Sequence, residues 1–147
     1  MARAAPLLDV AALDAEKDSI GGLWRVRWRI SNATPMPVQV SEMWLPHSLF
    51  QADKEFLRPT LVLAPGQSRV ITALVRCRPR VGEPIENAFL ILRVNCDEEY
   101  RVFVQVRVEC INDDAIMPVV EKVTTHPVGS EESARPPVSL RSRRLRG

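Results

Sequence analysis

The chain has 147 residues, of which 46% are apolar, 26% charged and 5% aromatic. That suffices for one domain of ordinary size and is too apolar for a wholly disordered chain; it excludes a collagen, a coiled coil, a polytopic membrane protein and a dense disulfide scaffold. The formal net charge of +2 conceals an uneven distribution: residues 1–134 carry 15 basic and 18 acidic side chains, whereas residues 135–147 carry five arginines and no acid.

The N-terminal segment offers Leu7, Leu8 and Val10, but Asp9 and Asp14 interrupt them. A secretory signal needs about 7–15 continuous apolar residues, and a membrane helix about 18 or more. The expected location is therefore the cytoplasm. Residues 5–13 are read as a first strand. Residues 23–30, LWRVRWRI, alternate strictly, with Trp24, Val26, Trp28 and Ile30 on one side and Arg25, Arg27 and Arg29 on the other. Such alternation predicts a half-buried strand, because successive side chains of a strand point to opposite faces.

Ser31 to Pro35 reads as a loop, in which Asn32-Ala33-Thr34 is formally a glycosylation sequon. A second run at 37–45 lines up Val38, Val40 and Trp44 but drops Glu42 among them, which a bulge near 41–43 would resolve. Residues 46–58 lack a clear period and are read as a long connection with one helical turn around Phe50 to Phe56. A short strand follows at 60–64. Pro65-Gly66 is a turn signal, since proline presets the first central position and glycine tolerates the left-handed second one. Further strands are expected at 69–77, 87–96 and 100–110, the last two forming a hairpin across Asp97-Glu98-Glu99. Beyond about Pro118 the alternation stops, and proline, serine, glycine and charge dominate.

Seven short strands without intervening helices predict an all-β fold, an antiparallel sandwich over residues 5–117, followed by a disordered Pro/Ser/Arg-rich tail over residues 118–147. The run Val26 to Thr34, the turn Leu63-Ala64-Pro65-Gly66-Gln67-Ser68 and the closing hairpin resemble immunoglobulin-like and fibronectin-III-like sandwiches. The resemblance covers roughly residues 22–110 and implies an immunoglobulin-like sandwich of about seven strands. It implies no specific activity, because that fold hosts many functions.

Little in the chain points to catalysis. His47 and His126 lie far apart in sequence, and no phosphate-binding glycine loop or nucleophile elbow occurs. Cys77, Cys96 and Cys110 fall in the apolar phase of their strands and are read as buried free thiols. The expectation is a non-enzyme without metal or cofactor. Its function is read as a protein-interaction or structural module that binds an unidentified partner through a sandwich loop or a sheet edge. The partner-binding candidates are Trp44, His47, Phe50 and Phe56 on the loop surface 44–58, and the row Arg25, Arg27 and Arg29. That row is either a solvated face with acidic cross-strand partners or an anion-docking surface. The alternative function is weak, non-specific binding of RNA, DNA or an anionic membrane by the tail, through Arg141, Arg143, Arg144 and Arg146.

Overall fold

The computed structural model describes residues 7–128. They form eight strands and no helix: β1 (Leu8–Lys17), β2 (Leu23–Asn32), β3 (Val38–His47), β4 (Phe50–Leu63), β5 (Ser68–Arg76), β6 (Ile85–Cys96), β7 (Glu98–Asn112) and β8 (Ala115–Pro127). All pairings are antiparallel, in the order β1-β2-β5-β4-β3-β6-β7-β8. The first and last strands of that order lie alongside each other, so the sheet curls into a near-closed barrel. No helix among the described residues is long and apolar enough to cross a membrane.

The all-β expectation holds at this level, but the count of seven strands and the sandwich do not. Alternation alone does not separate the two architectures, because both send every second side chain into one shared core. Trp24, Val26, Trp28 and Ile30 of β2 are buried as their phase requires, and so are Val102, Val104, Val106 and Val108 of β7. The β6–β7 hairpin forms as the spacing predicts, pairing Cys96 with Glu98. It turns on Asp97, whose φ of 68° lies in the left-handed region. Aspartate is among the few residues with a side chain that visit that region readily.

Two segments differ from the sequence expectation. Residues 46–58 are not a long connection: β3 runs on to His47, and β4 begins at Phe50. Most side chains of β4 are exposed, with only Phe50 and Leu63 buried. A strand wetted on both faces leaves no period-2 signature, which is why it reads as irregular. The tail assigned to 118–147 starts too early, since β8 runs to Pro127 and pairs with β7 along its length. Pro118 ended the alternating pattern, yet proline is tolerated in an edge strand. The remainder of the tail lies outside the described residues, and so does its expected disorder.

The bulge expected near 41–43 is present as a register shift between Val40 and Glu42 in both pairings of β3. It reverses the phase of the strand. Met43 and Leu45 enter the core, and Trp44 turns to the outer face. Glu42 is buried there, with Arg93 Nη1 at 2.8 Å and Lys54 Nζ at 3.6 Å. Arg93 also binds Glu99 at 2.5 Å, and these carboxylates hold its guanidinium above the usual arginine range.

Cys77, Cys96 and Cys110 are free and buried. Burial pushes the Cys77 thiol up to about 12, with the nearby Cys110 adding to the shift. Raised above its unfolded value near 9.0, the neutral thiol contributes stability fully below that pH and loses it as pH climbs towards 12. Urea unfolding at pH 8 and pH 10 is therefore expected to show a stability loss on alkalinisation that Cys77→Ala diminishes. An unchanged alkaline slope in that variant would contradict the burial argument.

Candidate functional site

The sequence candidates do not converge on one place. Phe50 is a core residue with no exposure. His47 Nδ1 accepts the backbone N–H of Leu49 at 3.0 Å, within the tight β3–β4 turn. Trp44, half-buried on the outer face, lies beneath the Lys54 ammonium, 4.4 Å from its ring centroid. Phe56 is exposed, with the Arg58 guanidinium 5.6 Å from its ring. Trp44 also stands beside Ile91 of β6, and Phe89, Phe103 and His126 continue edge-to-face across β6, β7 and β8. Sequence reading singled out Trp44 but missed the rest of this outer row, because the row depends on the register between strands.

The arginine row has two of its three members paired with acids, which β1 and the residue that follows it supply. Arg25 binds Glu16 at 3.2 Å and also Asp18, and Arg27 Nε binds Asp14 at 2.9 Å. The bidentate bond from Arg27 holds the Asp14 carboxyl below the ordinary carboxylate range. Arg29 is exposed beside Ala11 and Val70. Arg101 and Arg107 belong to β7 on another part of the barrel, and Arg107 is held by Glu86 and Glu109. Arg141, Arg143, Arg144 and Arg146 lie outside the described residues.

The feature that stands out is the seam between β1 and β8. The two strands run antiparallel and are pinned at both ends. At one end the Leu7 N–H donates to Thr125 Oγ1 at 3.4 Å. At the other, Lys17 Nζ donates to the Asp113 carbonyl at 3.2 Å and to the Asp114 carboxylate at 2.9 Å. Between these pins no backbone ladder joins the strands: β1 pairs with β2 and β8 pairs with β7, each on one side.

A groove of about 630 Å³ occupies the gap, lined by residues 10–15 on one bank and by Ile111 and residues 116–120 on the other. Val10 and Ile116 are buried within its walls, whereas Met117 and Val119 are exposed. A register shift between Ala12 and Asp14 interrupts β1 beside Leu13, which also lines the groove. No alternation rule reports such a site, since it consists of the backbone groups of two strands far apart in sequence.

The barrel has a second weak join, because β4 and β5 pair only at Gln51 and Arg76. The cavity beside that bridge, about 520 Å³, is lined by Gly21, Gly22, Arg76 and Arg78 among others, a more polar wall than that of the β1–β8 groove. Among the described residues, no three His, Cys, Asp or Glu side chains are grouped to hold a metal ion. No protein-family model matches the chain, and neither a curated protein nor a solved structure was found to match it.

Proposed function

We propose that the chain is a non-catalytic protein-interaction module that docks a segment of a partner protein at the groove over the seam between β1 and β8. The observation that carries this reading is an apolar groove flanked by two edge strands that have no ladder between them. Unpaired N–H and C=O groups on an edge are a template for another strand. The loop alternative has less support, since Phe50 is in the core and His47 is engaged in its own turn.

The reading extends to the strand order, which we infer to be that of an immunoglobulin-like or fibronectin-III-like domain, here curled into a barrel. In such sandwiches the second strand neighbours the fifth when strands are lettered A to G, the third neighbours the sixth, and the sixth neighbours the seventh. The pairings β2–β5, β3–β6 and β6–β7 follow that plan. The single β4–β5 bridge marks where two sheets would separate, and β8 is an additional strand on the second. We further place the protein in the cytoplasm. The support is its three free thiols, which suit a reducing compartment.

A photo-reactive side chain installed at Leu13 on one bank, or at Met117 on the other, tests the site in a lysate of the native host. Both positions are expected to cross-link to one and the same partner peptide. The same group at Val70, an exposed apolar position on β5, is expected to give no such adduct. Equal cross-linking from Val70, or none from either bank, would overturn the assignment.

A further inference from the structure

Three parts of the chain meet at one end of the barrel, beside the weak join between β4 and β5. The β1–β2 connection brings Gly21 and Gly22, the β3–β4 turn brings Ser48 and Leu49, and the end of β5 brings Arg76 and, just beyond it, Arg78. Together they line the cavity of about 520 Å³, a size common among small-molecule sites. Backbone bonds fix the arrangement: the Cys77 N–H donates to the Gly22 carbonyl at 2.9 Å, and Gln51 pairs with Arg76. Because Cys77 is buried, the arginines on either side of it take the exposed phase.

Arg78 is the distinctive member. Its guanidinium lies so close to Gly22 that a Cβ there would stand 3.3 Å from Cζ and from Nη2. Gly22 has a φ of 84°, which glycine adopts without a steric penalty, so both the turn and the seat of the arginine call for glycine. Arg78 also borders a smaller pocket beside Lys17 and Asp113, yet it forms no ion pair among the described residues. Arg76 binds the exposed Asp53 at 2.9 Å. Asp18, on the same connection as the two glycines, is held by Arg25. No Asp or Glu lines the cavity itself. Its charge is therefore two guanidiniums against the one carboxylate of Asp53.

Unused donors gather there as well. Gly21 and Gly22 give their N–H groups to no backbone acceptor among the described residues, and Ser48 adds a hydroxyl. A single planar guanidinium fork satisfies a carboxylate. A phosphate group instead presents three strong acceptor oxygens, which suits donors that arrive from separate parts of the chain. We propose that this cavity binds the phosphate group of a small soluble ligand. Arg78 is the principal contact, and Arg76 is shared between the ligand and Asp53. Leu49, exposed beside them, is available to an apolar body carried on the phosphate. The cavity shares no lining residue with the β1–β8 groove, so the two readings stand or fall separately.

The test titrates the isotope-labelled full chain with inorganic phosphate, phenyl phosphate and benzoate, following the amide resonances of Gly21, Gly22 and Ser48. Both phosphates are expected to shift these resonances to saturation. Benzoate is expected to bind about tenfold more weakly than phenyl phosphate, having less charge and fewer acceptor oxygens. Tighter binding of phenyl phosphate than of inorganic phosphate would assign the site to a phosphate ester, and equal binding to the free anion. Arg78→Gln is expected to weaken phenyl phosphate about tenfold or more, since hydrogen bonds to charged groups are the strong ones. Asp53→Asn is expected to tighten it severalfold by releasing Arg76, while Arg101→Gln on β7 leaves it unchanged. Absence of saturable shifts, benzoate bound as tightly as phenyl phosphate, or binding insensitive to Arg78→Gln would each overturn the proposal.

Discussion

Replacing Trp24 with alanine is expected to lower folding stability by about 3–5 kcal/mol. Trp24 is buried in the core, and its indole N–H donates to the Cys77 carbonyl at 3.0 Å. The substitution loses the transfer free energy of the ring, leaves a cavity, and deprives a buried carbonyl of its donor. Trp28, four residues along the same strand, has no exposure and a buried indole N–H without a hydrogen-bond partner among the described residues. The phenylalanine variants separate these contributions. Trp24→Phe is expected to cost about 1–3 kcal/mol more than Trp28→Phe, because only the first breaks a buried hydrogen bond. Urea denaturation of the four proteins measures this directly. Equal losses for the two phenylalanine variants would contradict it.

The second large effect is expected at Asn32, where alanine removes four side-chain hydrogen bonds at once. Asn32 Nδ2 donates to the Met36 carbonyl at 2.7 Å and to the Leu63 carbonyl at 3.0 Å. Its Oδ1 accepts from the Thr34 N–H at 2.8 Å and from Thr34 Oγ1 at 2.9 Å. The backbone of Asn32 meets Gln67 and Gly66 as well. One residue thus ties the end of β2 to the 33–36 loop, to the end of β4 and to the Pro65-Gly66 turn. Asn32→Ala is expected to cost about 2–4 kcal/mol in thermal or urea unfolding, since each orphaned buried group costs about 1–3 kcal/mol. Gly66→Ala is expected to act on the same junction, because its φ of 76° suits glycine and strains a residue with a side chain. The same bonds occupy both amide hydrogens of Asn32, so the formal sequon is not available for glycosylation in the folded protein.

What the sequence discloses follows from how many faces of a strand are dry. The β2 strand has one buried and one wet face, and its pattern LWRVRWRI is legible down to the side of each residue. The central strand β6 is nearly as clear, although Ile91 is buried on its outer face, which the alternation does not report. The β4 strand is wet on both faces over most of its length, and its first part, up to Arg58, reads as a loop. The β8 strand sits at an edge and carries a proline. At β3 the bulge was legible while its consequence was not: one extra residue moves every later side chain to the opposite face. That is why Trp44, in line with Val38 and Val40 by simple alternation, turns to the outer face, and why Met43 and Leu45 enter the core.

The surface follows the same logic. The arginine row was visible in the sequence because its members share one strand. Its partners Asp14 and Glu16 were hidden, since a cross-strand pair depends on register and not on local spacing. The seam was hidden for a stronger reason, being a property of two strand edges some 100 residues apart in the chain. Its walls, Val10 to Ala15 and Ile116 to Val120, look in sequence like ordinary strand residues.

Amide hydrogen exchange along β1 tests the central claim most directly. In the free protein, the amides of residues 10–15 that bond to β2 are expected to be protected. The alternate amides, turned towards β8, are expected to exchange within the range of exposed loops. Uniform protection of residues 10–15 in the free protein would mean that β1 and β8 are already joined, and would contradict an open seam.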